Sequence, residues 1–113
     1  MPSFEFRGET FYNPVEFALN FIGGKWKIPI LWRLRERDWR YGELRTDIQG
    51  ITTKMLTQQL RELEADGFVT RTVYPVIPPR VDYALTERGR SALSIIDALR
   101  MWGLDLMKDY GVE

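Results

Sequence analysis

Lys54, Thr57, Gln58 and Arg61 recur at i, i+3, i+4 and i+7, so on a helix of about 3.6 residues per turn they share one face. Their chemistry is that of hydrogen-bond donors and acceptors, not of bond making. A glutamine amide can pair with an adenine edge, lysine or arginine with guanine or a phosphate, and a threonine can set its methyl against thymine. Leu56, Leu60 and Leu63 fall on the opposite face and suit a core. The borders are marked by Thr52 and Thr53, either of which can accept from the unpartnered N–H groups of the first turn, and by Gly67, where left-handed backbone costs least. Glu62, Glu64 and Asp66 all follow the donor row. The first two turns are therefore free of acid, and the positive end of the helix dipole lies where a phosphate would meet it. A solvated surface helix has the same pattern, and these residues alone leave both readings open.

The residue types that are missing narrow the chemistry further. The 113 residues include no cysteine and no histidine, which removes thiol nucleophiles, disulfides, imidazole bases and the usual zinc ligands together. Ser3, Ser91 and Ser94 have no histidine to activate them, and neither a GxxxxGK nor a GxGxxG phosphate loop occurs. No catalytic residue, metal site or cofactor is expected, and the chain is expected not to be an enzyme. Sixteen bases balance sixteen acids, which argues against a blanket electrostatic binder, yet Lys25 to Arg61 holds nine bases against four acids. No apolar run reaches about 18 residues and no charged-then-apolar leader opens the chain, so neither a membrane span nor a signal peptide is expected and the location should be cytoplasmic.

The elements that must position the donor row can be read in order. Residues 1–12 are aromatic-rich, with Phe4, Phe6, Phe11 and Tyr12 spaced too irregularly for a helix, and suit an arm that packs on a neighbour. Asn13-Pro14-Val15-Glu16 starts a helix with a cap, a proline at the first position and a capping-box glutamate; it runs to Ile22 and stops at Gly23-Gly24. A second helix begins at Lys25-Trp26-Lys27, with Pro29 near its first turn. After a break at residues 39–42, residues 43–48 make a short helix that ends at Gln49-Gly50. Short helix, glycine turn and donor-faced helix together give a helix-turn-helix over about residues 42–66. Val69–Tyr74 and Val81–Leu85 alternate as paired strands, and the three prolines of residues 75–80 mark a stiff loop between them. This hairpin, about residues 69–85, is a wing that carries Arg71 and, near its tip, Arg80 toward phosphate or the minor groove, unless it only covers a core edge. Thr86 opens a last helix over about residues 87–109, with Ile95, Leu99, Trp102 and Leu106 at i, i+4, i+7 and i+11. So wide an apolar surface calls for a partner, which favours a two-fold dimer on a pseudo-palindromic site. The fold class is α+β, mainly α: one winged helix-turn-helix DNA-binding domain spanning residues 1–113, with N- and C-terminal dimerisation elements.

In this order the chain resembles the HxlR-type regulators, a branch of the MarR-like winged-helix transcription factors. The resemblance rests on IGGKWK at Ile22 to Lys27, ILWRL at Ile30 to Leu34, YGELR at Tyr41 to Arg45, KMLTQQLRELEADGFVTRTVYP at Lys54 to Pro75, and PPRVDYALTERGR at Pro78 to Arg90. It implies a homodimeric bacterial regulator that binds double-stranded DNA, with the helix from Thr52 in the major groove. Several members of that family sense oxidants through a cysteine just before the Pro-Val that opens the first helix; here the position is Asn13, so a thiol mechanism is not expected. A small-molecule effector stays open but unidentified; Trp26, Trp32 and Trp102 could line a pocket, but aromatic residues at helical spacing are more often core. The competing reading is a winged-helix protein-interaction module, or a small-molecule-responsive regulator, with weak DNA affinity.

Overall fold

A computed structural model describes residues 2–113. The chain opens with a hairpin, β1 (Phe4–Phe6) and β2 (Glu9–Phe11), followed by α1 (Pro14–Ile22), α2 (Lys27–Arg33), a two-residue strand β3 (Trp39–Arg40), α3 (Tyr41–Asp47) and α4 (Thr53–Ala65). Strands β4 (Val69–Tyr74) and β5 (Arg80–Leu85) come next, and α5 (Glu87–Ser91) and α6 (Leu93–Asp109) end it. The second sheet is antiparallel with order β3-β5-β4; Arg71 stands opposite Tyr83, and Tyr74 opposite Arg80.

The core explains why α4 is held so firmly. Leu56, Leu60 and Leu63, the predicted inner face, are fully buried in one core cluster with Ile30, Leu31 and Leu34 and with Leu44 of α3. Thr52 is the N-cap, its hydroxyl accepting from Met55 N–H, while Thr53 is the first helical residue. At the far end Phe68 N–H reaches the Leu63 carbonyl at 2.9 Å and Gly67 N–H that of Glu64 at 3.0 Å. This Schellman arrangement needs the left-handed backbone that Gly67 adopts at φ +80°, and it carries Phe68 back into the core beside Leu63. Gly50 stands between α3 and α4 at φ +83°.

Several expectations are corrected. The N-terminal segment, read from sequence only as an irregular aromatic arm, has regular structure: it folds as the β1–β2 hairpin, where Phe4, Phe6 and Phe11 meet Phe17 edge to face and Phe21 continues the contact to Phe68. Arg7 fastens the turn to Asp66, the C-cap of α4, at 2.6 Å. Asn13 does cap α1 by accepting from Glu16 N–H, but the returning Glu16 carboxylate accepts from Tyr12 N–H, one residue before the position a capping box uses. Residues 39–42 are not a break. Trp39 and Arg40 pair with β5, and α3 starts at Tyr41, because Arg40 N–H donates to the Glu43 carboxylate at 2.9 Å and Gly42 sits in a first turn whose N–H groups have no helical partner anyway.

The last helix is two helices. Thr86 caps α5, accepting from Gly89 N–H, and its hydroxyl also donates to the Gly67 carbonyl at 2.5 Å, which ties the entry of α5 to the exit of α4. A methyl at Gly89 would lie 2.2 Å from the Phe68 carbonyl oxygen, so only glycine lets α5 approach this closely. Ala92 ends α5 and begins α6: its N–H reaches the Gly89 carbonyl at 3.2 Å and its carbonyl accepts from Ile96 N–H at 3.0 Å. Ile96 joins the core, whereas Ile95, Leu99, Trp102 and Leu106 remain 54%, 43%, 61% and 38% exposed. Trp26 and Trp32 pack against the core, whereas Trp102 is exposed.

Candidate nucleic-acid interface

The amino-terminal turns of α4 are an outward-facing shelf. Thr52, Thr53, Lys54, Gln58 and Arg61 are exposed and Thr57 is half-buried, with no acid in the first turn. The shelf is stiffened from α3. Tyr41 Oη donates to the Thr53 carbonyl at 3.2 Å and lies 2.9 Å from Thr57 Oγ1. With the one phenolic hydrogen given to Thr53, the Thr57 hydroxyl donates to Tyr41. Arg45 Nε donates to Thr53 Oγ1 at 2.9 Å, which brings a guanidinium to the positive end of the helix.

Between α4 and the hairpin lies a cleft of about 450 Å³ lined by Tyr41, Thr57, Arg61, Glu64, Arg71, Val81 and Tyr83. Thr57 and Arg61 from the donor row thus share one groove with Arg71 from the wing. Tyr83 is mostly buried there; desolvation pushes its phenol above the ordinary range, and the neighbouring Arg71 guanidinium pulls the other way. Lys54, Arg61 and Arg71 form no ion pair with a carboxylate among the described residues, so their charge is available to an outside anion.

Arg80 stands apart from this set. It belongs to β5, not to the loop tip, and its Nε and Nη2 grip both oxygens of Asp82 at 2.9 and 2.8 Å, with the guanidinium carbon 5.0 Å from the centre of the Tyr74 ring. This fork holds the Asp82 carboxyl below, and the Arg80 guanidinium above, their ordinary ranges. The charge that the sequence assigns to the wing tip is therefore largely spent inside the protein.

Gln58, exposed on α4, does not line the cleft. Its Nε2 donates to Glu62 Oε2 at 2.8 Å, and Glu62 Oε1 accepts from Lys27 Nζ, also at 2.8 Å. The Lys27 bond first, then that from Gln58, holds the Glu62 carboxyl below its usual range. The roles of Tyr41, Arg45, Lys27 and Glu62 are absent from the sequence reading. A signal for the first two does exist: they are i, i+4 neighbours on α3, a spacing visible only once that helix is begun at Tyr41. Ile95, Leu99, Trp102 and Leu106, all on α6, play no part in this region.

A short helix, a glycine turn, a second helix locked into the core by one face with the other presented outward, and a two-stranded hairpin directly after it define a winged helix-turn-helix protein. The model of the HxlR-like helix-turn-helix family matches residues 21–110, and the chain belongs to that family. It is a transcriptional regulator with a helix-turn-helix DNA-binding domain, of the MarR-like winged-helix kind. An uncharacterised HTH-type transcriptional regulator of Methanothermobacter thermautotrophicus is 52% identical over 89 residues, which cover 79% of this chain and 68% of that one. YtcD of Bacillus subtilis, likewise an HTH-type transcriptional regulator, is 54% identical over 93 residues, 81% of this chain and 74% of its own. A crystal structure of ytcD superposes with a TM-score of 0.81 at 49% identity, covering 86% of this chain and 99% of that chain. The redox regulator HypR in its oxidised form superposes with a TM-score of 0.78 at 47% identity, covering 82% of this chain and 96% of that chain.

Proposed function

We propose that the chain binds double-stranded DNA sequence-specifically as a homodimer, each protomer laying α4 in the major groove and turning its wing toward the adjacent backbone and minor groove. The observation that carries this reading is the amino-terminal half of α4. Thr52, Thr53, Lys54, Thr57, Gln58 and Arg61 line its outer side without an intervening carboxylate, its inner leucines leave it no freedom to turn, and Arg71 faces the same cleft from β4. Donors on a rigid element at the positive end of a helix suit both phosphate and base edges.

The dimer is supported by shape and by surface. A chain of this length would have a radius of gyration of about 13 Å if it closed on itself, whereas here it is 16.0 Å with extents of 51 × 42 × 25 Å. α6 contributes to this elongation with an apolar row facing solvent, and a second α6 across a two-fold axis covers that row. Two α4 helices then read half-sites of a pseudo-palindromic operator, in the cytoplasm, without an enzymatic step. Redox control as named for HypR has no thiol to work through here, since the sequence contains no cysteine. Formal net charge of zero favours, as the second reading, a winged-helix protein-interaction module or a small-molecule-responsive regulator with weak DNA affinity.

Selection of bound fragments from random duplex DNA tests the proposal. Thr57→Ala and Gln58→Ala, made separately, should each relax base preference in half-sites whose centres lie about 10 base pairs apart, at about 1–3 kcal/mol per lost contact, with little change on random DNA. Absence of measurable binding at low salt favours the interaction-module reading instead.

A further inference from the structure

Two hydrogen bonds in series run from the core to the reading face of α4. Lys27, the first residue of α2, has a side chain only 9% exposed; its Nζ meets Glu62 Oε1 at 2.8 Å, and Glu62 Oε2 receives Gln58 Nε2 at 2.8 Å. An ammonium taken out of water is costly unless paired, and an apolar residue at its place would pack a core at less expense. What distinguishes this pair from an ordinary structural one is its second oxygen, which is spent on an exposed side chain of the donor row.

We propose that Lys27 and Glu62 are positioning residues that fix which edge Gln58 offers to a base, an inference that rests on α4 being the reading helix. A glutamine amide can turn end for end with no change of shape, exchanging an acceptor for two donors. Glu62, kept ionised by Lys27, can only accept, so Nε2 must face it. Gln58 Oε1 is then left without a protein partner among the described residues, beside the second N–H of Nε2. An amide held so pairs with an edge that carries a donor, the N6–H of adenine with its N7 or the N4–H of cytosine. It cannot aim both of its N–H groups at the acceptor-only edge of guanine or at O4 of thymine. Lys27 has a second effect: it cancels the charge of Glu62, which would otherwise repel phosphate one turn from the reading face.

Site selection from random duplexes, run on the full chain with thermal unfolding of every variant, tests the assignment. Gln58→Ala should erase the preference at one position of each half-site and so identify that position, where the unaltered protein should select adenine or cytosine. Glu62→Gln keeps the shape but can donate as well as accept, so the Gln58 amide is free to turn. Preference at that one position should fall about tenfold while the other positions keep theirs. Lys27→Met should weaken binding to all duplexes at low salt. The double variant Lys27→Met with Glu62→Gln should recover that general affinity without recovering the base preference, a split that loss of packing alone does not produce. Selection of guanine or thymine at the Gln58 position, no position sensitive to Gln58→Ala, or an unchanged preference in Glu62→Gln would each overturn the inference while leaving DNA binding intact; a protein that binds no DNA at all would instead sink the reading beneath it.

Discussion

Trp102 offers the cleanest separation between fold and assembly, because 61% of its surface is exposed in the single chain. A tryptophan carries about 150–250 Å² of buriable surface, so covering the exposed part would withdraw about 90–150 Å² from water in each protomer. At about 25 cal/mol per Å² this is roughly 2–4 kcal/mol. Ordering costs on association consume a share of it, and an isologous interface counts whatever remains twice. If half survives, Trp102→Ala weakens the dimer by about 2–4 kcal/mol in all, or roughly 30- to 1000-fold in dissociation constant. Leu99→Asp, which puts a carboxylate into the same apolar row, should go further and give folded monomers. Sedimentation equilibrium over a concentration series measures the first, and circular dichroism checks that helix content persists in both. Binding to a full operator should fall with dimerisation, while binding to an isolated half-site should not. A Trp102→Ala protein with an unchanged dissociation constant, or a Leu99→Asp protein that stays a folded dimer, would show that α6 meets no partner through this face.

Arg71→Ala should lower the slope of log K against log salt by about one unit on any duplex. Arg80→Ala should change it much less, because the Asp82 carboxylate already occupies that guanidinium; equal slopes for the two would refute the distinction. Gly89→Ala forces a methyl against the Phe68 carbonyl and should cost about 1–3 kcal/mol on chemical denaturation, so an unchanged midpoint would mean that α5 moves aside freely. Asn13→Ala should cost about 1 kcal/mol through the lost cap and leave the selected DNA sequence as it was. Operator binding should also be indifferent to millimolar diamide, and a loss reversed by dithiothreitol would contradict a mechanism without thiols.

The element that matters most was legible in full: one face of α4 is all leucine, the other carries the donors, and a threonine and a glycine mark its ends, so periodicity, capping and burial agree. Less legible were contacts between elements far apart in sequence. Nothing local to Lys27 says that its ammonium meets Glu62 across 35 residues, and nothing local to residues 4–11 says that their phenylalanines pack on Phe17 of the same chain rather than on another.

A third kind of error lies between these, and it has a simple cause. Starting α3 at Glu43 leaves Tyr41 outside the helix and hides its i, i+4 relation to Arg45, although both residues brace the reading shelf. Starting β5 at Val81 puts Arg80 in a loop, where its side chain would be free to reach DNA. With the strand begun one residue earlier, Arg80 and Asp82 are two apart on a period-two element and must lie on the same face, so their pairing follows from spacing alone. Element ends are where capping and turn signals compete with periodicity, and here they are also where charged side chains either find a partner or stay available to a ligand. A shift of one or two residues therefore costs little in the description of the fold. It decides, however, that Arg71 is the wing arginine with charge to spare and Arg80 is not.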